Sequence, residues 1–203
     1  MSSTRERILD TARKAIADDG AVPSMSAIAR AIGISRQALY LHFPDRTQLL
    51  LALVADIDDR EQLEAGIATV LQAADGAGAI RAWARVQTWH NPRIATIARA
   101  LDTTRRNDPA AAAVWNDRTA ERMRGAAFIA ERLHAEGRLD PSWTTAEAAT
   151  VLWELTSFRV WDDLVNDAAV PPDRYVEIIT ATALATLGAP SRPATAGQPR
   201  SPG

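Results

Sequence analysis

The stretch SMSAIARAIGISRQALYLHFPDR, residues 24–46, decides the fold of this chain. Ser24 and Ser35 are favoured helix N-cap residues, and each precedes a short run with apolar residues at helical spacing. Gly33 lies between the two runs and suits the left-handed conformation that ends a helix. Two short helices joined by a turn that contains glycine define the helix-turn-helix unit. Asp45 then predicts the N-cap of a further helix.

The segment before this unit predicts one more helix. Ser3 and Glu6 form the Ser-x-x-Glu pattern of a capping box, which marks a helix start. Gly20 stands where that helix would end. We therefore expect a three-helix head over residues 1–46.

The rest of the chain also predicts helices, because alanine and leucine are abundant and period-two alternation of β-branched residues is rare. Proline, glycine and aspartate separate predicted helices at residues 46–73, 79–90, 92–103, 108–136, 144–166 and 172–187. The fold class is therefore all-α, with the head followed by a helical body over residues 47–188. The tail, residues 189–203, is rich in Pro, Ser and Gly and is predicted to be disordered.

Composition narrows the function classes. The 203 residues include no cysteine, which excludes disulfides and thiolate metal sites. No apolar run reaches the roughly 18 residues of a membrane span, and the N-terminus lacks a signal-peptide pattern, so we expect a cytoplasmic protein. Residues 1–50 carry seven basic and five acidic residues, whereas the remainder carries sixteen and twenty. This asymmetry permits a DNA-facing head on an acidic body.

The second helix of the helix-turn-helix unit carries side chains that suit DNA. Arginine pairs with guanine and glutamine with adenine in the major groove, so Arg36 and Gln37 are the candidate base contacts. Phosphate oxygens suit the other polar side chains of the unit, namely Ser24, Ser35, Tyr40 and His42. The alternative is that Tyr40 and His42 are partly buried framework residues.

The motifs of this stretch stand in the register of a known family. They are the Ile28-Ala29 pair, the Gly33-Ile34-Ser35 turn and the run Leu39-Tyr40-Leu41-His42-Phe43. With them, roughly residues 4–55 resemble the DNA-binding region of the tetracycline-repressor (TetR) family. In that family the residues matching Ser24, Tyr40 and Arg46 usually hold the DNA backbone. The last of these is usually lysine, and arginine presents a planar fork where lysine presents a point donor.

The resemblance implies a homodimer on a double-stranded DNA operator. The last two long helices of such proteins form a four-helix bundle with the twin subunit, and helices 144–166 and 172–187 have wide apolar faces. The candidate interface residues are Leu152, Leu155, Ile178, Ile179, Thr182 and Ala185. The alternative is that both helices belong to an intramolecular core.

The resemblance also implies a small-molecule cavity among the body helices, where most of the six tryptophans fall. The candidate lining residues are Trp83, Trp115, Phe128 and Trp153, with Arg122 as the polar group. The alternative for each tryptophan is ordinary core packing.

No pattern predicts catalysis, a metal ion or a cofactor. The three histidines lie far apart, without metal-ligand spacing, and neither a nucleophile elbow nor a phosphate loop is present. The leading hypothesis is a repressor that a small hydrophobic or aromatic effector releases from a palindromic operator. The alternatives are an activator, a regulator without an effector, and an all-helical enzyme.

Overall fold

A computed structural model describes residues 3–57 and 60–188 of the chain, and its elements are helical. The helices are α1 (Thr4–Asp19), α2 (Met25–Ile32), α3 (Arg36–His42), α4 (Arg46–Ile57), α5 (Arg60–Leu71), α6 (Gly76–Thr104), α7 (Pro109–Ala135), α8 (Thr145–Leu155), α9 (Phe158–Asp162) and α10 (Pro172–Leu187). A π-helical turn, Asp163–Asp167, follows α9. The all-α class is confirmed.

The three helices of the head begin and end where their capping residues predict. The Ser3 hydroxyl and the Glu6 carboxylate form a reciprocal capping box at α1. Gly20 and Gly33 end α1 and α2 in the left-handed region, with φ of 65° and 72°. Each glycine supplies a conformation that costs other residues steric strain, which explains why both helices stop there.

The core of the head continues into the body. Ile8, Leu9 and Leu39 of the head pack in one cluster of buried side chains with residues of α4, α6 and α7. From the body this cluster includes Leu49, Leu50, Leu53, Val54, Ile97, Ala100, Leu101, Ala111 and Val114. The hydrophobic core of the head is therefore continuous with that of α4, α6 and α7.

Helix α6 runs through Pro92, where the sequence predicts a break between two helices. Proline removes one backbone hydrogen bond and costs a helix interior about 3 kcal/mol. Buried residues lie on both sides of it, from Ala79 and Ile80 to Ala100 and Leu101. Burial along the whole helix therefore outweighs the local penalty of Pro92.

The predicted helix 144–166 is interrupted, and this boundary prediction is wrong. The hydroxyl of Thr156 donates a hydrogen bond to the carbonyl oxygen of Leu152, 2.7 Å away. Ser157 then caps α9 by accepting from the amide of Val160 at 3.1 Å. Side chains that bond to nearby backbone groups compete with helix continuation, so the chain ends α8 and restarts.

Two other predictions reach beyond the described part of the chain. The predicted helix 46–73 is present as α4 and α5, but residues 58–59 between them lie outside the described residues. The predicted disordered tail, residues 189–203, also lies outside them. Within the described ranges, no helix combines the length and the apolarity that crossing a membrane requires.

Candidate nucleic-acid interface and body cavity

Helix α3 divides its side chains between the core and the solvent. Leu39 and Phe43 are buried one helical turn apart, which anchors the inner face. Arg36 and Gln37 are exposed at the first turn of the helix. The orientation of α3 therefore leaves both predicted base-contact residues accessible to a DNA groove.

The outer face of α3 includes a leucine that sequence reasoning missed. Leu41 is 84% exposed, which makes it the most exposed large apolar side chain among the described residues. It follows Gln37 by four residues, a spacing that places both on one side of a helix. That four-residue spacing was the signal available in the sequence. Tyr40, which precedes Leu41, is 39% exposed in the structure.

The two predicted serine contacts serve as helix caps. The hydroxyl oxygens of Ser24 and Ser35 accept hydrogen bonds from the amides three residues later, at 3.2 and 3.0 Å. Both serines are exposed, and a hydroxyl that accepts still has a proton to donate. His42 is exposed at the last position of α3, so neither it nor Tyr40 is a core residue.

Arg46 lies at the junction of head and body rather than among the free side chains of α3. Its guanidinium donates to the carbonyl of Pro23 at 3.1 Å, to the carbonyl of Val22 at 2.7 Å and to the carboxylate of Asp108. The other oxygen of Asp108 caps α7 by accepting two backbone amides at 2.9 and 3.1 Å. One arginine thus joins the start of α2 to the start of α7.

A cavity of about 430 Å³ lies in the body, between α4, α5, α6, α7 and the junction of α8 with α9. Three of the five predicted ligand-binding residues line it, namely Trp83, Trp115 and Arg122. Its remaining apolar wall consists of Val54, Leu63, Ile67, Val86, Ile94, Ile97, Ala98, Leu101 and Phe158. A cavity of this size with mostly apolar walls suits a small organic molecule.

The cavity wall also contains polar groups that the sequence analysis did not select. Gln87 and Asn91 are buried on α6, and Gln87 accepts a hydrogen bond from the hydroxyl of Tyr175 at 2.7 Å. Burial raises the pKa of the Tyr175 phenol above its ordinary value. The tyrosine therefore stays neutral and fixes the amide of Gln87.

Two of the predicted lining residues lie outside the wall. Trp153 stacks beneath the guanidinium of Arg122, with 4.8 Å from the carbon of that group to the ring centre. Its indole nitrogen donates to the carbonyl of Thr119 at 3.1 Å, which ties α8 to α7. Phe128 is 39% exposed and is absent from the lining, because it lies farther along α7 than the cavity extends.

The head matches a known family model. Residues 8–53 match the model described as bacterial regulatory proteins of the tetR family. These residues include α2, the Gly33 turn, α3 and most of α4. The helix-turn-helix head of the chain is a TetR-family DNA-binding domain. The chain is a DNA-binding transcriptional regulator.

Solved structures share the fold of this chain over nearly its whole length. A regulatory protein of the tetR family from Rhodococcus RHA1 is 19% identical, with a TM-score of 0.64 over 94% of this chain and 100% of that one. A Saccharomonospora viridis protein solved in complex with choline is 18% identical, with a TM-score of 0.66 over 93% and 99%. NalD of Pseudomonas aeruginosa, the secondary repressor of the MexAB-OprM multidrug efflux pump, is 20% identical, with a TM-score of 0.65 over 91% and 96%. No curated protein matches the sequence.

The predicted dimer residues of this chain fall into two groups. Leu152 and Ile179 are each 1% exposed within a single chain, so they belong to its own core and leave no surface for a partner. Leu155 and Ile178 are half-buried, while Thr182 and Ala185 are exposed. A second subunit could therefore reach the outer face of α10 and Leu155 at the end of α8.

Proposed function

We propose that this TetR-family protein is a repressor that binds a palindromic operator as a homodimer and is released by a small effector in the body cavity. Each subunit would place α3 in a major groove, with Arg36 and Gln37 at base edges. Leu41, exposed on the same face, suits contact with a thymine methyl group. Ser24, Ser35, Tyr40 and His42 would donate to phosphate oxygens.

The observation that carries this proposal is the wall shared by the cavity and the core of the head. Val54, Ile97 and Leu101 line the cavity and also belong to the cluster that contains Ile8 and Leu39. A molecule that fills the cavity therefore contacts side chains on which the head packs. Close-packed cores transmit such displacements because they contain little free volume.

The junction at Arg46 supplies a second connection. Asp108 caps α7, and Trp115 of the cavity wall lies two turns later on the same helix. We propose that displacement of α7 by the effector alters the Arg46–Asp108 pair and the position of α2. In this proposal Arg46 is a coupling residue between body and head.

The comparison structures support a small-molecule effector for this fold. The Saccharomonospora viridis protein is in complex with choline, and NalD is a repressor in a drug-efflux system. From these comparisons we extend to this chain only that a protein of this fold binds a small molecule. A ligand changes DNA affinity only when it binds one conformation better than the other, and such couplings amount to about 1–3 kcal/mol.

The test begins with selection of operator DNA from random duplexes by the purified protein. A small-molecule library is then screened by thermal shift, and operator affinity is measured with and without each stabilising compound. We expect an effector to weaken operator binding about 5–150-fold. An effector that strengthens operator binding would contradict the proposed release from DNA. Cavity ligands that leave operator affinity unchanged would favour a regulator without an effector.

A matched pair of variants on α7 locates the response. Trp115→Leu alters the cavity wall, whereas Phe128→Leu alters an aromatic residue outside it. We expect Trp115→Leu to reduce the effector response, and Phe128→Leu to retain it, with melting temperatures recorded for both. Equal responses in the two variants would remove Trp115 from the effector site.

A further inference from the structure

We infer that the body cavity takes an organic anion, an apolar molecule that ends in a carboxylate, and that Arg122 binds its charge. The inference rests on the proposed function, since it names the effector class for the same cavity. The observations that carry it are the kinds of polar atom left unpartnered in the wall and the environment of Arg122.

The unpartnered polar atoms of the cavity residues are all donors. Trp83 Nε1, Asn91 Nδ2 and Arg122 Nε are buried and have no hydrogen-bond partner among the described residues. Buried polar groups are normally paired, because a group without a partner bears its full desolvation cost. A ligand that accepts hydrogen bonds would satisfy these atoms, whereas an ammonium group would satisfy none.

Arg122 presents a positive charge that no carboxylate of the described residues reaches at ion-pair distance. Among the described residues Arg122 forms no ion pair, while Arg118 and Arg124 on the same helix both pair with Glu121. Burial lowers the pKa of the Arg122 guanidinium below its ordinary value, and the attraction of Glu154 offsets part of that effect. Arginine remains charged at neutral pH, so a buried anion is the partner that this site lacks.

The guanidinium of Arg122 is also held in place before any ligand arrives. It stacks on Trp153, 4.8 Å from the ring centre, and the Trp153 indole is fixed by its hydrogen bond to Thr119. A stacked, planar fork matches the two oxygens of a carboxylate. Preorganisation of this kind favours affinity because the side chain loses little freedom on binding.

The rest of the cavity wall determines which kind of molecule can bear the carboxylate. Ile94, Ile97 and Leu101 form an apolar surface, and the indole of Trp83 packs against Gly125, where an added Cβ would lie 2.9 Å from the ring. Among the described residues of the lining, Glu121 is the one carboxylate, and it is exposed and engaged by two arginines. The lining therefore favours a carboxylate on an aliphatic or aromatic body and disfavours a cation.

The test compares probes that share a body and differ in charge. Decanoate and 2-naphthoate are titrated against decanamide, 2-naphthamide and decyltrimethylammonium, with tryptophan fluorescence and calorimetry as readouts. We expect each carboxylate to bind about tenfold to a hundredfold more tightly than its amide, because hydrogen bonds to charged groups are the stronger ones. Equal or tighter binding of the amides or of the ammonium compound would overturn the inference, and so would absence of binding by every probe.

Variants then assign the charge preference to one residue. Arg122→Gln should abolish the preference for carboxylate over amide. The control, Arg174→Gln, removes a positive charge from an exposed position of α10 and should retain that preference. A preference that persists in a folded Arg122→Gln protein would overturn the assignment. If that variant fails to fold, the ranking of the probes on the wild-type protein still decides.

The same titrations separate this inference from the proposed function. Carboxylate binding that leaves operator affinity unchanged would overturn effector control but retain the anion site. A neutral or cationic compound that releases the operator would retain effector control and overturn the anion site.

Discussion

The residues proposed to read bases and those proposed to hold the DNA backbone differ in what their loss should change. Arg36→Ala and Gln37→Ala should each cost about 1–3 kcal/mol on the operator and relax the preference at one base position. Tyr40→Phe, which removes one hydroxyl from the same helix, should weaken binding to all sequences alike. Selection of binding sites with each variant measures this, and an unchanged motif for Arg36→Ala would contradict its assignment to a base.

The pair between Arg46 and Asp108 yields a prediction that distinguishes coupling from a phosphate contact. Asp108→Asn removes the charge but retains an oxygen for capping α7, and Arg46→Met removes the guanidinium. Partners in one network show interaction energies of about 0.5–3 kcal/mol, so we expect a non-additive double-mutant cycle in unfolding free energy.

The salt dependence of operator binding provides the control for that cycle. If Arg46 held a phosphate, Arg46→Met would lower the salt slope by about one ion. We expect both variants to keep the wild-type slope, because the charge of Arg46 is directed at Asp108. A slope that falls in Arg46→Met alone would favour the backbone contact that the family resemblance implies.

Individual side chains show where sequence reasoning ends. Gln37 could be placed on the outer face of α3 because helical periodicity sets it opposite Leu39, two residues later. Arg36 lies three residues before Leu39, so its exposure at the helix start comes from the structure. The partner of Arg46 could not be predicted, since Asp108 lies 62 residues away in the chain. Likewise, the sequence places Trp153 on a helix but does not reveal that its ring supports Arg122.

At the scale of the elements, the turn between α2 and α3 depends on Gly33. Its φ is +72°, and a Cβ added there would meet no atom within 4 Å, so a substitution would cost backbone strain alone. Gly33→Ala should therefore destabilise the protein by about 1–2 kcal/mol, and Gly33→Asn by less, because asparagine tolerates this conformation. Urea unfolding measures both, and a larger loss for Asn than for Ala would contradict this account.

Element boundaries were predictable where local chemistry determines them. Ser3, Ser24 and Ser35 begin helices through bonds to amides three residues away, and such contacts are visible in the sequence. Pro92 misled the prediction because burial along α6 is a tertiary effect that local propensity omits. The break at Thr156 and Ser157 was missed because those hydroxyls compete with a helix only in a particular geometry.

At the scale of the whole molecule, dimerisation through α10 would set the distance between the two heads to the spacing of the operator half-sites. Successive half-sites are about 34–36 Å apart, so the spacing of the two α3 helices must be fixed by the subunit contact. The outer face of α10 presents small residues, namely Ala181, Thr182 and Ala185, beside the half-buried Ile178. Small side chains permit close approach of a second helix, which supports this face as the proposed interface.

The dimer proposal predicts different results for two neighbouring positions of α10. Thr182→Arg would bury an unpaired charge between subunits, so it should yield a folded monomer whose operator affinity falls about 10²–10⁴-fold as the second head is lost. Ile179→Arg should instead unfold the chain, because that side chain is 1% exposed in the core of one subunit. Thr103→Arg, at an exposed position of α6, is the matched control and should remain dimeric. Light scattering and circular dichroism distinguish these outcomes, and a stable wild-type monomer at micromolar concentration would contradict the proposal.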